Sequence, residues 1–337
     1  MHTRQSALNQ WLNELFKGMQ FTLIPLAGDA SFRRYFRLQC QQQTYIVMDA
    51  PPDKETIQPF ITIGKALANI GLHTPAISAV HHTQGFVLLE DFGDQLFLNA
   101  LSNHKEDTLY EAAMTTLIQM QSCSINNLHL LDFNQTHMLE EMSLFRQWFL
   151  EAYLGLTLDA NDVRLIQNTF NRLAEMIVEQ PQVFIHRDYH SRNLMIMEGK
   201  PSIELGIIDY QDAMRGPFTY DLVSLLKDCY IQWPHEIIDT WISYFYHHLP
   251  TTHGWSLSEF SQAFAMCGLQ RHLKVLGIFS RLHLRDQKSG YLRDLPRVFN
   301  YVISCVANYQ ELLPFYHFMQ QKVQAPFLEM HSLCTLQ

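Results

Sequence analysis

The 337-residue chain is poor in charge, and its few charges are mostly acidic. Charged residues make up 17% of it, below the roughly 25% of an average globular protein. Its 24 basic residues face 33 acidic ones, which argues against a nucleic-acid-binding protein that relies on a basic surface. The apolar content of 47% allows a sizeable core and argues against an intrinsically disordered chain.

The spacing of the cysteines and the length of the apolar runs argue against zinc-binding, disulfide-rich and membrane-spanning proteins. The six cysteines lie far apart, so neither a zinc site nor a dense disulfide framework is expected. We expect the cysteines to be free, buried thiols. Among the 17 histidines, the segment from His235 to Asp239 departs from the HExxH zinc pattern. No apolar run reaches the ~20 residues of a membrane span, and the N-terminal segment lacks the pattern of a signal peptide. We therefore expect a cytoplasmic protein with no membrane contact.

The apolar pattern changes from strand-like to helical along the chain. After an opening helix at Leu8–Phe16, the strand candidates are Phe21–Leu26, Phe32–Leu38, Thr44–Asp49, Pro75–His81 and Gly85–Leu89. One helix, Ile57–Ile70, lies between the third and fourth of these strands. The later helix candidates are Asp107–Gln121, Thr136–Leu154, Asp159–Glu179, Tyr220–Gln232, His235–Leu249, Ser256–Leu284 and Leu295–Phe318. This pattern predicts an α+β protein with a strand-rich domain at 1–91 and a helical domain at 92–337.

One polar loop between two short apolar strands carries the strongest chemical signal. His186-Arg187-Asp188 follows a first short apolar strand. Asn193 comes five residues after Asp188 and precedes a second such strand, and Asp209 follows a third. Phosphoryl transfer needs one carboxylate to orient the acceptor hydroxyl and take its proton. It also needs a carboxylate and an amide oxygen to hold magnesium against the phosphates. The combined pattern favours catalysis over a set of turn-forming residues.

This loop resembles that of the aminoglycoside-phosphotransferase-like branch of the protein-kinase-like fold, and the resemblance spans about residues 20 to 310. It implies two lobes, a small antiparallel-sheet N-lobe and a larger, mostly helical C-lobe. It also implies ATP and Mg²⁺ as cofactors, with Asp188 as the catalytic base and Asn193 and Asp209 as metal ligands. Asp221 resembles the helix-start aspartate that braces the catalytic loop in this fold, and an ordinary helix N-cap aspartate is the alternative interpretation.

The resemblance also predicts a nucleotide site, with one departure. Its cofactor-binding residues would be Gly28, Asp29, Ala30, Ser31, Arg34, Glu90 and Phe92. Met48 stands near the position of the expected strand lysine, and the helix Ile57–Ile70 has no acidic residue to pair with such a lysine. Arg33 or Arg34 is a candidate replacement, but neighbouring strand residues point to opposite faces, so only one can face the nucleotide. The alternative is a solvated, charged sheet edge.

Charge distribution bears on the acceptor. The segment from Gln270 to Arg297 holds seven basic and two acidic residues, a net charge of +5, which favours an acceptor with a carboxylate or phosphate over a cationic one. A solvated basic face is the alternative interpretation.

Segments 28–35, 45–52, 271–277 and 291–297 together resemble one subfamily, the bacterial anomeric sugar kinases of cell-wall recycling. This resemblance implies ATP-dependent phosphorylation of the anomeric hydroxyl of N-acetylmuramate or N-acetylglucosamine. The candidate substrate residues are His190, Arg192, Asp212, Arg271 and Arg285. A kinase for an aminoglycoside or a choline-like amine, and a catalytically silent kinase-like binding protein, remain as alternatives.

Overall fold

The computed structural model describes residues 2–26, 32–101, 106–125, 128–197 and 203–334. The chain packs as two compact units. The first unit comprises residues 1–123 and 192–212, and the second comprises residues 124–191 and 213–337. The boundary expected between residues 91 and 92 stays a prediction. In the described residues, none of the helices is both long and apolar enough to cross a membrane.

A five-stranded antiparallel sheet is the centre of the first unit. Its strands are β1 (Phe21–Pro25), β2 (Arg34–Cys40), β3 (Gln43–Asp49), β4 (Ile77–His81) and β5 (Phe86–Glu90). They lie in the order β1-β2-β3-β5-β4, and helix α2 (Gln58–Asn69) lies between β3 and β4 in the sequence. This confirms the predicted small antiparallel sheet with one inserted helix.

Helix α1 (His2–Leu15) covers one face of this sheet. Alternate residues of a strand point to the same face, so Phe36 and Leu38 of β2 pack together with Trp11 and Leu12 of α1. The apolar side chains of α1 and of this sheet face thus form one buried cluster.

A hairpin and two further helices complete the first unit. Strand β7 (Leu194–Ile196) pairs with β8 (Leu205–Ile207), with Leu194 opposite Ile207. The amide of Ile207 also donates to the carbonyl of His73, which ties the hairpin to the segment after α2. The two helices are α3 (Phe97–Ala100) and α4 (Glu106–Gln121).

The second unit is mostly helical. Its helices are α5 (Gln135–Leu144), α6 (Ala160–Val178), α7 (Tyr220–Leu226), α8 (His235–His248), α9 (Leu257–Leu284), α10 (Leu295–Ala307), α11 (Leu313–Phe318) and α12 (Gln324–Cys334). Strand β6 (Gln182–Ile185) pairs with β9 (Met214–Pro217), and the sequence pattern did not predict β9. The predicted α+β class, with a small antiparallel sheet and a larger, mostly helical part, is confirmed.

Two of the predicted helices in this unit are divided. The segment Thr136–Leu154 begins as α5 and continues as a π-helical stretch, Phe145–Tyr153. At this change the backbone of α9 comes so close that a Cβ on Gly277 would lie 2.3 Å from the carbonyl carbon of Leu144. The segment Leu295–Phe318 is divided at Asn308, and α11 restarts with a proline in its first turn, the position that tolerates proline.

Candidate functional site

The loop that follows β6 is held by a buried carboxylate. Asp221, in the first turn of α7, accepts hydrogen bonds from the amides of His186 (2.6 Å) and Arg187 (2.9 Å). Arg187 has a φ of 76°, a left-handed conformation that costs energy in a residue with a Cβ. Burial raises the pKa of Asp221 to about 6, against the opposing effects of His186 and the two amides. The predicted bracing role of Asp221 is confirmed by these hydrogen bonds.

A second buried carboxylate, which sequence reasoning missed, holds the other end of the same loop. Asp228 follows α7 and accepts hydrogen bonds from the amide and the hydroxyl of Ser191. Next to it, the ring of His190 meets the ring of Tyr230 edge-on, with centroids 5.4 Å apart. Asp228 belongs to no local motif, so only its position in the fold reveals this role.

Between these two anchors lies Asp188, whose carboxylate is paired with a buried arginine. Arg271 of α9 places Nη2 3.3 Å from Oδ1 of Asp188, and its Nη1 donates to the carbonyl of Arg187 at 2.6 Å. The Asp188 side chain is 48% exposed, whereas that of Arg271 is only 4% exposed. Burial opposes ionisation of Asp188, but Arg271, supported by Lys274, outweighs it and holds the pKa of this carboxyl below its usual range.

Behind this pair, Glu141 of α5 joins three partners. It accepts from Nη2 of Arg187 at 2.6 Å, from Nζ of Lys274 at 2.7 Å and from the side-chain amide of Gln270 at 3.0 Å. Burial raises the pKa of Glu141, but Lys274 and Arg187 outweigh burial and lower it from its ordinary value. The loop carrying Asp188 is therefore fixed by residues of α5, α7 and α9.

Arg271→Met is expected to move the acid limb of the kcat/KM profile upward by at least one pH unit. A carboxyl loses about 1–3 units of pKa depression when a neighbouring cation is removed, so Asp188 would bind a proton at higher pH. The measurement is kcat/KM for the acceptor between pH 3 and pH 8, because the wild-type acid limb is expected below the usual carboxyl range. Arg271→Lys keeps the charge and should keep the wild-type acid limb. An unchanged limb in the Met variant would contradict this role of Arg271.

The first unit brings the two predicted metal ligands to the same end of one hairpin. Asn193 immediately precedes β7 and Asp209 follows β8, and the amide of Ile208 donates to the carbonyl of Asn193 at 3.1 Å. Asp209 has a φ of 64° and accepts a hydrogen bond from the side chain of Gln211 at 2.8 Å. One carboxylate and one amide oxygen are the ligand types that Mg²⁺ takes together with water and phosphate oxygens.

Helix α2 fixes the residue that follows Asp209. The ring of Tyr210 stacks on Phe60 with centroids 4.9 Å apart, and burial raises the pKa of Tyr210 above its usual range. A Cβ on Gly64 would lie 2.4 Å from the Tyr210 hydroxyl, so glycine allows this close packing. Asp209 is therefore carried on a short segment that is fixed at its next residue.

Of the predicted nucleotide residues, the three that the structure describes lie apart from one another. Gly28, Asp29, Ala30 and Ser31 lie outside the described residues. Arg34 donates to Asp49 on the sheet face that α1 covers, opposite to the face of Met48. Glu90 is the last residue of β5, and its carboxylate accepts from the amide of Ala76. Phe92 lies beside Gly206.

The candidate substrate residues are likewise spread over different parts of the fold. Within the second unit, His190 and Arg271 lie at the Asp188 loop, whereas Arg285 lies about 21 Å from Arg271 along α9. Arg285 is bound to the neighbouring Asp286, and Arg271 and Lys274 are buried in ion pairs. Part of the basic segment therefore serves the loop itself. Arg192 and Asp212 belong to the first unit.

Sequence comparison finds relatives along nearly the whole chain. Residues 22–255 match the model of the phosphotransferase enzyme family. An N-acetylmuramate/N-acetylglucosamine kinase of Pseudomonas aeruginosa is 38% identical over 92% of this chain and 94% of that protein. A protein of the same name from Neisseria meningitidis serogroup B is 37% identical over 97% of this chain and 98% of its own length.

Structure comparison finds the same fold in more distant proteins. An ethanolamine kinase of Plasmodium vivax matches with a TM-score of 0.63 and 11% identity, over 87% of this chain and 85% of that one. An aminoglycoside phosphotransferase solved with ADP bound matches with a TM-score of 0.61 and 17% identity, over 88% of this chain and 97% of its own. At these identities the likeness shows the fold alone.

Proposed function

The chain belongs to the phosphotransferase enzyme family, and from this premise we propose that it transfers the γ-phosphoryl group of ATP to the anomeric hydroxyl of N-acetylmuramate or N-acetylglucosamine. The single observation that carries the proposal is the identity of 37–38% with kinases of that name over more than nine-tenths of both lengths. The product would be a sugar 1-phosphate that supplies cell-wall recycling.

In this reaction Asp188 would orient the acceptor. The anomeric oxygen attacks the γ-phosphorus, the bond to the ADP oxygen breaks, and the hydroxyl proton passes to the Asp188 carboxylate. Because Arg271 keeps the Asp188 carboxylate ionised, the main contribution of Asp188 would be to hold the acceptor hydroxyl in line with the γ-phosphorus. Asp188 suits this role because its carboxylate is exposed to an acceptor, whereas its partner Arg271 is buried and holds it in place.

Two alternatives have less support. The aminoglycoside phosphotransferases and the ethanolamine kinase that share the fold are only 11–17% identical to this chain. Identity this low gives no support for the idea that this chain uses the same acceptors. A catalytically silent protein would have no chemical use for Asp188, Asn193 and Asp209 together.

Magnesium would be held by Asn193 and Asp209, and when bound it would neutralise charge on the phosphate oxygens. We expect Asp209→Asn to lower the affinity for ADP in the presence of Mg²⁺ by about tenfold or more, because a carboxylate ligand becomes neutral. The affinity in EDTA should be unchanged. Calorimetric titration with ADP in both conditions measures this, with the exposed Asp107→Asn as control. Equal loss in EDTA would contradict a metal role.

The proposed function is tested with purified protein, ATP and magnesium against both amino sugars, an aminoglycoside and choline. Phosphorus NMR should show a sugar phosphate. This product should not react with a reducing-sugar reagent, because its anomeric oxygen is blocked. A product that keeps its reducing end would overturn the assignment of the hydroxyl. Phosphorylation of choline or the aminoglycoside in preference to both sugars would overturn the acceptor class.

A further inference from the structure

The face of the sheet that carries Met48 has no strand lysine, although protein kinases use one to hold nucleotide phosphates. Met48 pairs with Tyr35 of β2 and with Val87 of β5, and its side chain is fully buried. Helix α2 has no acidic residue that could serve as the partner of such a lysine. If the first unit binds ATP phosphates, another cation of this unit is the candidate for the contact that the lysine makes in protein kinases.

Arg33 and Glu55 form an ion pair on this face. Nε of Arg33 lies 2.6 Å from Oε2 of Glu55, and their side chains are 9% and 23% exposed. Arg33 immediately precedes β2, and Glu55 lies three residues before α2. Arg33 also hydrogen-bonds with Tyr35, the residue opposite Met48. The pair therefore joins the start of β2 to the start of α2, beside the position that lacks a lysine.

Asp209 acts on the same tyrosine from the hairpin of this unit. Burial raises the pKa of Tyr35 to about 12; Arg33 opposes the rise, while the charges of Asp209 and Glu55 add to it. The Tyr35 phenol is thus within electrostatic reach of the Arg33–Glu55 pair and of the proposed metal ligand. The other arginines of this segment are engaged elsewhere, Arg34 with Asp49 and Arg37 with Asp91 and Asp94.

We propose that Arg33 contacts the β- and γ-phosphates of the nucleotide and that Glu55 positions it, so that this pair replaces the strand lysine and helix glutamate of other kinases. The inference rests on the proposed function. A guanidinium suits the task because its planar set of donors matches two phosphate oxygens at once. Glu55 orients that group, as the helix glutamate orients the lysine in protein kinases.

The test compares the binding of ADP and of adenosine, which needs no acceptor and no turnover. Arg33→Met should weaken ADP about 10- to 100-fold, the worth of a lost charged hydrogen bond, and leave adenosine within twofold. Arg33→Lys should recover part of the ADP affinity. Glu55→Gln should weaken ADP by a smaller factor and leave adenosine unchanged. Arg172→Met, at an exposed ion pair of the second unit, controls for loss of a cation.

Steady-state kinetics and melting temperatures complete the experiment. Arg33→Met should raise the KM for ATP and lower kcat, because charge on the phosphates shifts in the transition state. Wild-type ADP affinity in Arg33→Met, with the sugar still phosphorylated, would overturn the inference and leave the proposed function intact. Loss of ADP affinity in Arg34→Met instead would also overturn it. If the wild-type protein binds ADP but phosphorylates neither sugar, the proposed function is wrong. The ADP affinities of the variants would still decide the role of Arg33. If Arg33→Met unfolds, Arg33→Gln and Glu55→Gln take its place.

Discussion

Asp188→Asn is expected to lower kcat by about 10²- to 10⁴-fold, the usual loss when a positioned proton acceptor is removed. Asparagine keeps the shape of the side chain and can still accept a hydrogen bond from Arg271, so the loop should keep its structure. The affinity for ADP should change by less than about threefold, because Asp188 acts on the acceptor and not on the nucleotide.

The measurement is kcat with ATP and saturating N-acetylmuramate, together with ADP affinity by calorimetry. Asp132→Asn, which removes another carboxylate that is paired with an arginine in the second unit but is exposed, should leave kcat within twofold. Near-normal turnover in Asp188→Asn would show that the loop has a structural role only. A kcat loss accompanied by an equal loss of ADP affinity would point instead to a displaced loop.

Local motifs made the Asp188 loop predictable, and tertiary contacts made its supports unpredictable. Asp188, Asn193 and Asp209 stand at fixed spacings around short apolar strands, and Asp221 follows β9 closely in sequence. Glu141 and Asp228 lie 46 and 37 residues from their partners Arg187 and Ser191, and, unlike Asp221, neither belongs to a local motif that marks it. The same limit applies to β9, whose four residues have no strand-like alternation of their own.

The net charge of a sequence segment does not show which of its cations are exposed. The basic segment from Gln270 to Arg297 has the composition of a solvated or anion-binding face, but a residue count does not show which cations are buried. Arg271 and Lys274 are on one face of α9, three residues apart, and they turn toward Asp188 and Glu141. Their partners lie far away in sequence, so their burial becomes visible only in the fold.

Glu141→Gln is expected to destabilise the second unit by about 3–5 kcal/mol. This is the typical cost of removing one partner from a buried ion pair, because Lys274 and Arg187 would keep their charges without their shared carboxylate. Urea unfolding measures the change. Glu140→Gln, the exposed neighbour on the same helix, should stay within about 0.5 kcal/mol of the wild type. A loss below about 1 kcal/mol would contradict the assigned role of Glu141.

The pH dependence separates this electrostatic cause from a packing defect. The pKa of Glu141 is lower in the folded chain than in the unfolded chain, so its contribution is present above about pH 4.3 and is lost as the pH falls through the folded value. The difference between Glu141→Gln and the wild type should therefore shrink as the solution is acidified. Adding Lys274→Met to Glu141→Gln should restore part of the stability, because one unpaired charge disappears. Purely additive losses in this double variant would show that Glu141 acts by packing.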